Sequence, residues 1–489
     1  MQEFRQRLPL GFILSFSTIR TWLLVLLCAV LASKGAVFFF RAARVVSYPF
    51  EWSTMDGYFV YHGLRLLKGQ PIYFGYESLL TPFEYVPLYP LAIGFLARLF
   101  GPGVWYERVF GLVCAGVAAL LIFQAVFSGT RSRIASLCAA LMFFAPASLS
   151  VWFLVRGIDI FSACLALGAV LLANSDSRGF RCRSVWAVAL FVVAFYAKQT
   201  TIFPAAGALA FVMYHNPRRG VAMAVGYAIS VALILAVLQY LSNGWFFENA
   251  FLTTAMNPYL PRELFRLFAA FTGVLFFAFP AALVQALVDI RRGPTIWTFY
   301  FVATAISALL AGKVGAALSY FIPLFTAVCI YTGLWLGNAE LFKVRGRTYM
   351  ALLFLLVLQS CFFLRELLPT PTQEDYLEAR ALDSHIKVNP GPVLLERIDS
   401  FATRNGRSLN VEAVQLPILV MRRKFDPELL IGPIQDREFS VIVYSGVHFG
   451  GMPALKQALF ENYHVTDRID LGLFFGRMTF LVLSPRYPS

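Results

Sequence analysis

The 489-residue chain is 59% hydrophobic and only 14% charged, with a mean hydropathy of +0.68. Soluble domains carry about a quarter charged residues, so a soluble multidomain protein is excluded. The formal charge of +14 excludes less than it suggests. The basic residues sit mainly in short loops between apolar runs and read as topology signals. No basic, aromatic-interleaved patch appears, so nucleic acid is not an expected partner.

A span of a roughly 30 Å hydrocarbon core needs about 20 apolar residues. Such runs fall near 20–42, 104–128, 133–154, 157–174, 184–198, 199–215, 220–241, 267–290, 294–311, 318–337 and 347–366. The first follows Arg5, Arg7 and Arg20 like a signal peptide, but it is long enough to span and reads as an uncleaved helix. Residues 86–100 (VPLYPLAIGFLARLF) are short and begin with two prolines. Counting them as a span scatters Arg131/Arg133, Arg178/Arg181/Arg183 and Arg218/Arg219 over both sides. Leaving them out gathers these on one side with Arg291/Arg292 and Lys343/Arg345/Arg347, as the positive-inside rule demands. Residues 86–100 are therefore expected as an interfacial or re-entrant helix. The expected fold is a polytopic α-helical membrane protein of about eleven spans, with a cytoplasmic N-terminus and an extracytoplasmic C-terminus. The outer side then holds residues 43–103, Arg156–Asp159, Lys198, the loop 242–266, Lys313 and everything after 366.

Residues 1–366 read as the membrane domain and 367–489 as a small extracytoplasmic α/β domain. In the latter, charge density rises and the short strands 392–396, 440–446 and 478–484 alternate with the helical patterns PELLIGPIQDR and ALKQALFENY. No glycine-rich phosphate loop is expected there. None of the seven cysteines lies beyond Cys361, and none has metal-ligand spacing.

The loop after the first span carries the most chemistry. Asp56 follows the membrane exit directly. Tyr58, Tyr61 and Arg65 then share one face of a short helix ended by Gly69 and Pro71. Ser53-x-x-Asp56 fits a capping box, a structural role. A carboxylate at the outer rim could equally take a proton from an acceptor hydroxyl, the work of a general base. His62 lies off that face and reads as interfacial.

The ordered set of motifs resembles the GT-C superfamily of membrane glycosyltransferases, especially its lipid-linked-aminoarabinose and protein-mannosyltransferase branches. The set comprises Asp56-Gly57-Tyr58, LLKGQPIY, TPFEYVPLYP, Glu107-Arg108, Arg156-Gly-Ile-Asp159, Ala197-Lys198-Gln199 and Lys313-Val-Gly-Ala-Ala-Leu-Ser-Tyr320. Many members carry two acids in the first loop where this chain has Asp56-Gly57. A lone carboxylate suits a divalent cation poorly, so no catalytic metal or other cofactor is expected.

The resemblance implies transfer of a hexosyl or pentosyl group from a polyprenyl-phosphate donor to a hydroxyl of an envelope glycan, lipid or protein. The reaction would run at the outer face of a bacterial plasma membrane. Asp56 would be the base. Lys198, Arg156, Lys313 and Arg262 would hold the donor phosphate. Asp159, Glu84, Tyr58, Tyr61, Tyr85 and Tyr320 would bind substrate. Arg156 and Asp159 could instead pair with each other at i, i+3, and Lys198 could merely snorkel. The rival reading is an envelope lipid or saccharide flippase, for which matched broken helices in two halves are wanting. As the base, Asp56 replaced by Asn should abolish sugar transfer while leaving expression and thermal stability nearly unchanged; surviving activity would make it only a cap.

Overall fold

The computed structural model describes residues 16–53, 55–174, 180–338, 346–408, 412 and 414–486. Arg5, Arg7, Arg178, Lys343 and Arg345 lie outside them. Helices occupy the expected apolar runs: α1 (Phe16–Ser47), α4 (Trp105–Thr130), α5 (Arg133–Met142), α6 (Ala147–Ser150), α7 (Trp152–Val155), α8 (Gly157–Ala173), α9 (Phe180–Ala197), α10 (Ile202–His215), α11 (Pro217–Leu241), α14 (Ala278–Arg292), α15 (Ile296–Ala308), α16 (Ile322–Gly337) and α17 (Gly346–Phe363). Among the described residues five helices are long and apolar enough to cross a membrane, or seven if each of two bent pairs counts as one span. The chain is a multi-pass membrane protein. Val221, Val225, Ile229, Leu233 and Val237 of α11 are exposed at every fourth position, an apolar stripe that only lipid covers without penalty.

Two expected spans are not straight. The first breaks by 66° between Met142 and Ala147, beside Pro146. The second turns by 92° between α13 (Pro261–Val274) and α14, so the expected span over 267–290 is a corner. Between α11 and α13 the chain makes a short turn, α12 (Trp245–Phe247), and a π-helical segment, Glu248–Thr253.

Residues 86–100 give α3 (Leu88–Phe100), packed on α2 (Tyr58–Leu67). The two helices touch through glycine: a Cβ on Gly63 would lie 2.1 Å from the Pro90 carbonyl oxygen. Phe95, Leu99 and Phe100 stay exposed on the far face, as suits a helix in contact with lipid.

The C-terminal segment forms a four-stranded sheet of order β1-β2-β4-β3: β1 (Val393–Leu395), β2 (Val441–Tyr444), β3 (Tyr463–Leu473) and β4 (Gly476–Pro485). β1 and β2 run parallel and the other pairs antiparallel. The three expected strands are present. β3 escaped notice because this edge strand carries Asp467, Arg468 and Asp470, charged residues that break the apolar alternation.

This segment is not a detached body. Val393, Val441, Val443, Phe401 and Phe480 share one core with α1 and the loop 48–90, while Leu394, Ile442 and Leu483 close a second core that reaches Tyr76. Phe50 stacks on Phe401 at 5.7 Å, and Tyr48 Oη donates to the Asp375 carbonyl at 3.1 Å. Gly57 sits at the tightest point of this contact. It has φ +85°, and a Cβ there would fall 2.4 Å from Ser400 Cα. No second acid can stand at this position.

Gly57→Ala should therefore destabilise the chain by about 1–3 kcal/mol from backbone strain alone, with the overlap adding to it. It should also loosen the docked C-terminal segment. A lower melting temperature with faster proteolysis after residue 366 is the expected result, measured on detergent-solubilised protein.

Candidate active site

Three of the expected cations occupy breaks between helices. Arg156 separates α7 from α8 with φ −145°, ψ 68°. Lys198 is extended (φ −157°, ψ 126°) between α9 and the 3-10 turn Gln199–Thr201 that opens α10. Lys313 is extended after the 3-10 turn Leu309–Gly312. It bridges Tyr259, backed by Leu260 N–H on the Gly312 carbonyl (2.7 Å) and Val314 N–H on the Pro258 carbonyl (2.9 Å). All three lie at the end of the helix bundle that the C-terminal segment covers.

There they line one cavity of about 380 Å³, with Glu84, Tyr85, Gln199, Asn257 and Tyr320 from the membrane part and Arg397, Glu412, Gln415 and His448 from the C-terminal segment. Asp159 stands behind it, 4% exposed, paired with Lys198. Lys198 also lies 4.3 Å over the Tyr320 ring. Lys198 is thus a buried, oriented cation and not a snorkelling one. Arg156 does not pair with Asp159 within its turn; it stacks on Trp152 at 5.6 Å.

Other expected site residues lie elsewhere. Arg262 is exposed on α13 and does not line the cavity. Tyr61 lies outside it too, against Arg65 at 5.9 Å. Tyr58 is buried on Phe83 behind the Glu84 side and does not reach the cavity. His62, expected at an interface, is buried between Tyr58 and Phe83, and desolvation pushes its pKa down to about 3.

Asp56 is 3% exposed, and its neighbour Met55 lines the cavity where Asp56 does not. Its Oδ2 accepts from the N–H groups of Trp52 (2.8 Å) and Ser53 (3.1 Å) and from Arg108 Nη2 (2.5 Å). The Ser53 bond is half of the expected capping box. The helix begins later, at Tyr58, with Gly57 as its cap.

Glu84 and Glu412 are the carboxyls that line the cavity. Burial pushes both above the usual carboxylate range, and the charge of Glu412 raises Glu84 further. Arg397, Glu412, Gln415 and His448 were missed by the sequence reading. The one local signal was the turn Ser445-Gly-Val-His448-Phe-Gly-Gly451 directly after β2. That turn is built on Glu396, whose carboxylate accepts N–H bonds from Ser445, Gly446, His448 and Phe449 at 2.7–3.0 Å. Among the described residues no group of three or more His, Cys, Asp or Glu could hold a metal.

A larger cavity, about 860 Å³, opens at the opposite end of the bundle beside Thr130, His215, Asp289 and Asn338. None of the expected site residues lines it, so the smaller cavity is the candidate site.

The chain shares its fold with solved structures of other proteins. ArnT from Cupriavidus metallidurans in the apo state is 13% identical, with 93% of this chain and 97% of that chain covered and a TM-score of 0.62. The same enzyme bound to undecaprenyl phosphate matches with a TM-score of 0.58 at 13% identity, again covering 93% of this chain and 97% of that one. The archaeal oligosaccharyltransferase AglB from Archaeoglobus fulgidus, in complex with an inhibitory peptide and a dolichol-phosphate, is 11% identical over 90% of this chain and 72% of its own, with a TM-score of 0.55. At these identities the likeness is one of fold. No family model matches the chain, and no curated protein matches it in sequence.

Two predictions follow from the site's electrostatics. Removing one partner of a buried ion pair costs about 3–5 kcal/mol, so Asp56→Asn should lower the melting temperature. This reverses the expectation of unchanged stability. Burial also raises Glu51, Glu84, Asp399 and Glu412 in the fold. The folded state then holds protons that the unfolded chain, with carboxyls near about 4, has already released. Stability should fall as pH rises from about 5. Glu51→Gln and Glu84→Gln should each flatten the curve of melting temperature against pH.

Proposed function

We propose that the chain is a glycosyltransferase acting at the extracytoplasmic face of the membrane, moving a sugar from a polyprenyl-phosphate donor to an acceptor hydroxyl. The observation that carries this reading is the convergence of Arg156, Lys198 and Lys313, from three helix breaks, on one cavity roofed by the C-terminal segment. Helices α8, α10 and α16 begin at this rim, so their positive dipole ends add to the cations. The fold shared with ArnT, one structure of which holds undecaprenyl phosphate, supports it.

The acceptor oxygen attacks the anomeric carbon. The carbon–oxygen bond to phosphate breaks, and polyprenyl phosphate leaves with the electron pair. Lys198, held in place by Asp159, and Lys313 offset the charge growing on the leaving oxygen. The acceptor proton passes to a carboxylate. Asp56 takes this role once it turns from Arg108 past Met55. Glu84 is the second reading, favoured because it lines the cavity; its pKa is raised by burial and by Glu412, so this reading requires a pH high enough to ionise it. In either case the cations neutralise the phosphate, and no metal is required.

Purified full chain, a radiolabelled polyprenyl-phosphate sugar and a membrane extract as acceptor give the test. Labelled product separates a transferase from a flippase, and no product from any donor rejects the reading. Lys198→Ala and Lys313→Ala should each lower kcat about 10²-fold or more. Asp56→Asn and Glu84→Gln separate the two bases: the true base loses kcat even when assayed well below its melting temperature, and EDTA should change neither result.

A further inference from the structure

At the end of the bundle away from the candidate site, α9 and α11 leave a groove of about 840 Å³ between them. Val188, Ala222, Gly226 and Ser230 wall it, and Arg218 and Arg219 stand at its mouth. Behind it the two helices are joined. Phe191 meets Tyr227 edge-on at 6.4 Å, and Tyr196 Oη donates to the Val231 carbonyl at 2.6 Å. The open side faces lipid, for Val185, Val221 and Val225 are 50–66% exposed. From Arg219 to Ser230 a helix rises about 16 Å. That is one leaflet of a roughly 30 Å hydrocarbon core.

The mouth is basic and short of acids. Over residues 174–188 and 216–230 the chain carries five arginines and one acid, Asp176, which lies outside the described residues. Asp289, an acid of the neighbouring larger cavity, is engaged there: it accepts from Gln285 Nε2 at 2.8 Å. Arg219 is fixed by its bonds to Ser184 Oγ (3.1 Å) and the Ala173 carbonyl (3.2 Å). Arg218 beside it is exposed, and no hydrogen bond or ion pair engages its side chain among the described residues.

A guanidinium over an apolar groove suits a molecule with an anionic head and an apolar tail. We propose that this groove binds one anionic phospholipid, its phosphate at Arg218 and Arg219 and an acyl chain along Ala222, Gly226 and Ser230. Charge and length choose the occupant. A second copy of the chain, docked groove to groove about a two-fold axis, would set these arginines against its own. A polyprenyl chain would overrun a groove one leaflet deep. An anionic phospholipid brings the missing charge with a chain of the right length, the match by which basic pockets between membrane helices hold lipid head groups.

Native mass spectrometry of the detergent-solubilised full chain tests this with three lipids: phosphatidylglycerol, phosphatidylcholine of the same acyl chains, and a short polyprenyl phosphate. Phosphatidylglycerol should bind at least about fivefold tighter than phosphatidylcholine, the contribution of one arginine near a membrane surface. Arg218→Gln, which removes no hydrogen bond or ion pair seen in the structure, should abolish most of that preference. Ala222→Phe, at an exposed position, should fill the groove and weaken both phospholipids. Equal binding of the two phospholipids, or a preference kept in full by Arg218→Gln, overturns the site. Phosphatidylglycerol binding unchanged by Ala222→Phe overturns it too, leaving general attraction to a basic rim. Displacement of phosphatidylglycerol by an equal amount of polyprenyl phosphate overturns the choice of occupant. Each readout is of binding at the end opposite the candidate site, so it stands whether or not the chain transfers sugar.

Discussion

The guanidinium of Arg108, fully buried, holds the place where the chain leaves its first helix. Nη1 donates to the carbonyls of Val45 (2.7 Å) and Tyr48 (2.6 Å), and Nη2 to that of Phe50 (2.8 Å) and to Asp56. Of these carbonyls at and just past the end of α1, Val45 also accepts the Tyr48 N–H at 3.2 Å, and a cation is the group best suited to collect the remaining acceptor capacity of a helix C-terminus. Once they are collected, the chain must turn back over the bundle. Gly57 takes the left-handed conformation, α2 starts, and the helix Asp399–Arg404 can approach. Glu51 accepts the Ser400 N–H at 2.9 Å and completes the joint between loop and C-terminal segment. In this frame Asp56 is first of all the counter-ion of Arg108, and any chemistry it performs has to be compatible with that bond.

The cavity arises from a second constraint. In the membrane a backbone group that leaves the helical ladder needs a partner, and irregular backbone persists only where protein or a polar cavity surrounds it. Arg156, Lys198 and Lys313 all stand at such irregular points, so the breaks that free their backbones also supply the polar hollow that their side chains need. The pairing of Lys198 with Asp159 follows: a lone ammonium in that setting would be too costly, and the acid one helix away offsets it.

Much of this was legible in the residues. Asp159, Lys198, Lys313, Tyr320 and Glu84 stood out as polar groups at the edges of apolar runs, and they do gather at one place. Arg262 looked the same in sequence, but at the first turn of α13, just past the Tyr259–Lys313 bridge, its side chain is exposed and does not line the cavity. Which way a side chain at a helix start points depends on packing that no local pattern announces. Glu107-Arg108 was visible as a motif, yet its work on Val45, Tyr48 and Phe50 was not, because those acceptors are backbone oxygens some 60 residues away.

By itself the sequence determined what hydrophobicity, charge and short-range periodicity can encode: a multi-pass helical chain, the polar rim residues, the short helix over 86–100 and three of the four strands. Those are properties of neighbours along the chain, and solvent reads them directly. The tertiary structure alone decided which carboxyls line the cavity, that Asp56 meets Arg108, and that Arg397, Glu412, Gln415 and His448 complete the site. Each depends on contacts between segments hundreds of residues apart. Their energies arise from burial and close packing, and no stretch of sequence contains those until the chain has folded.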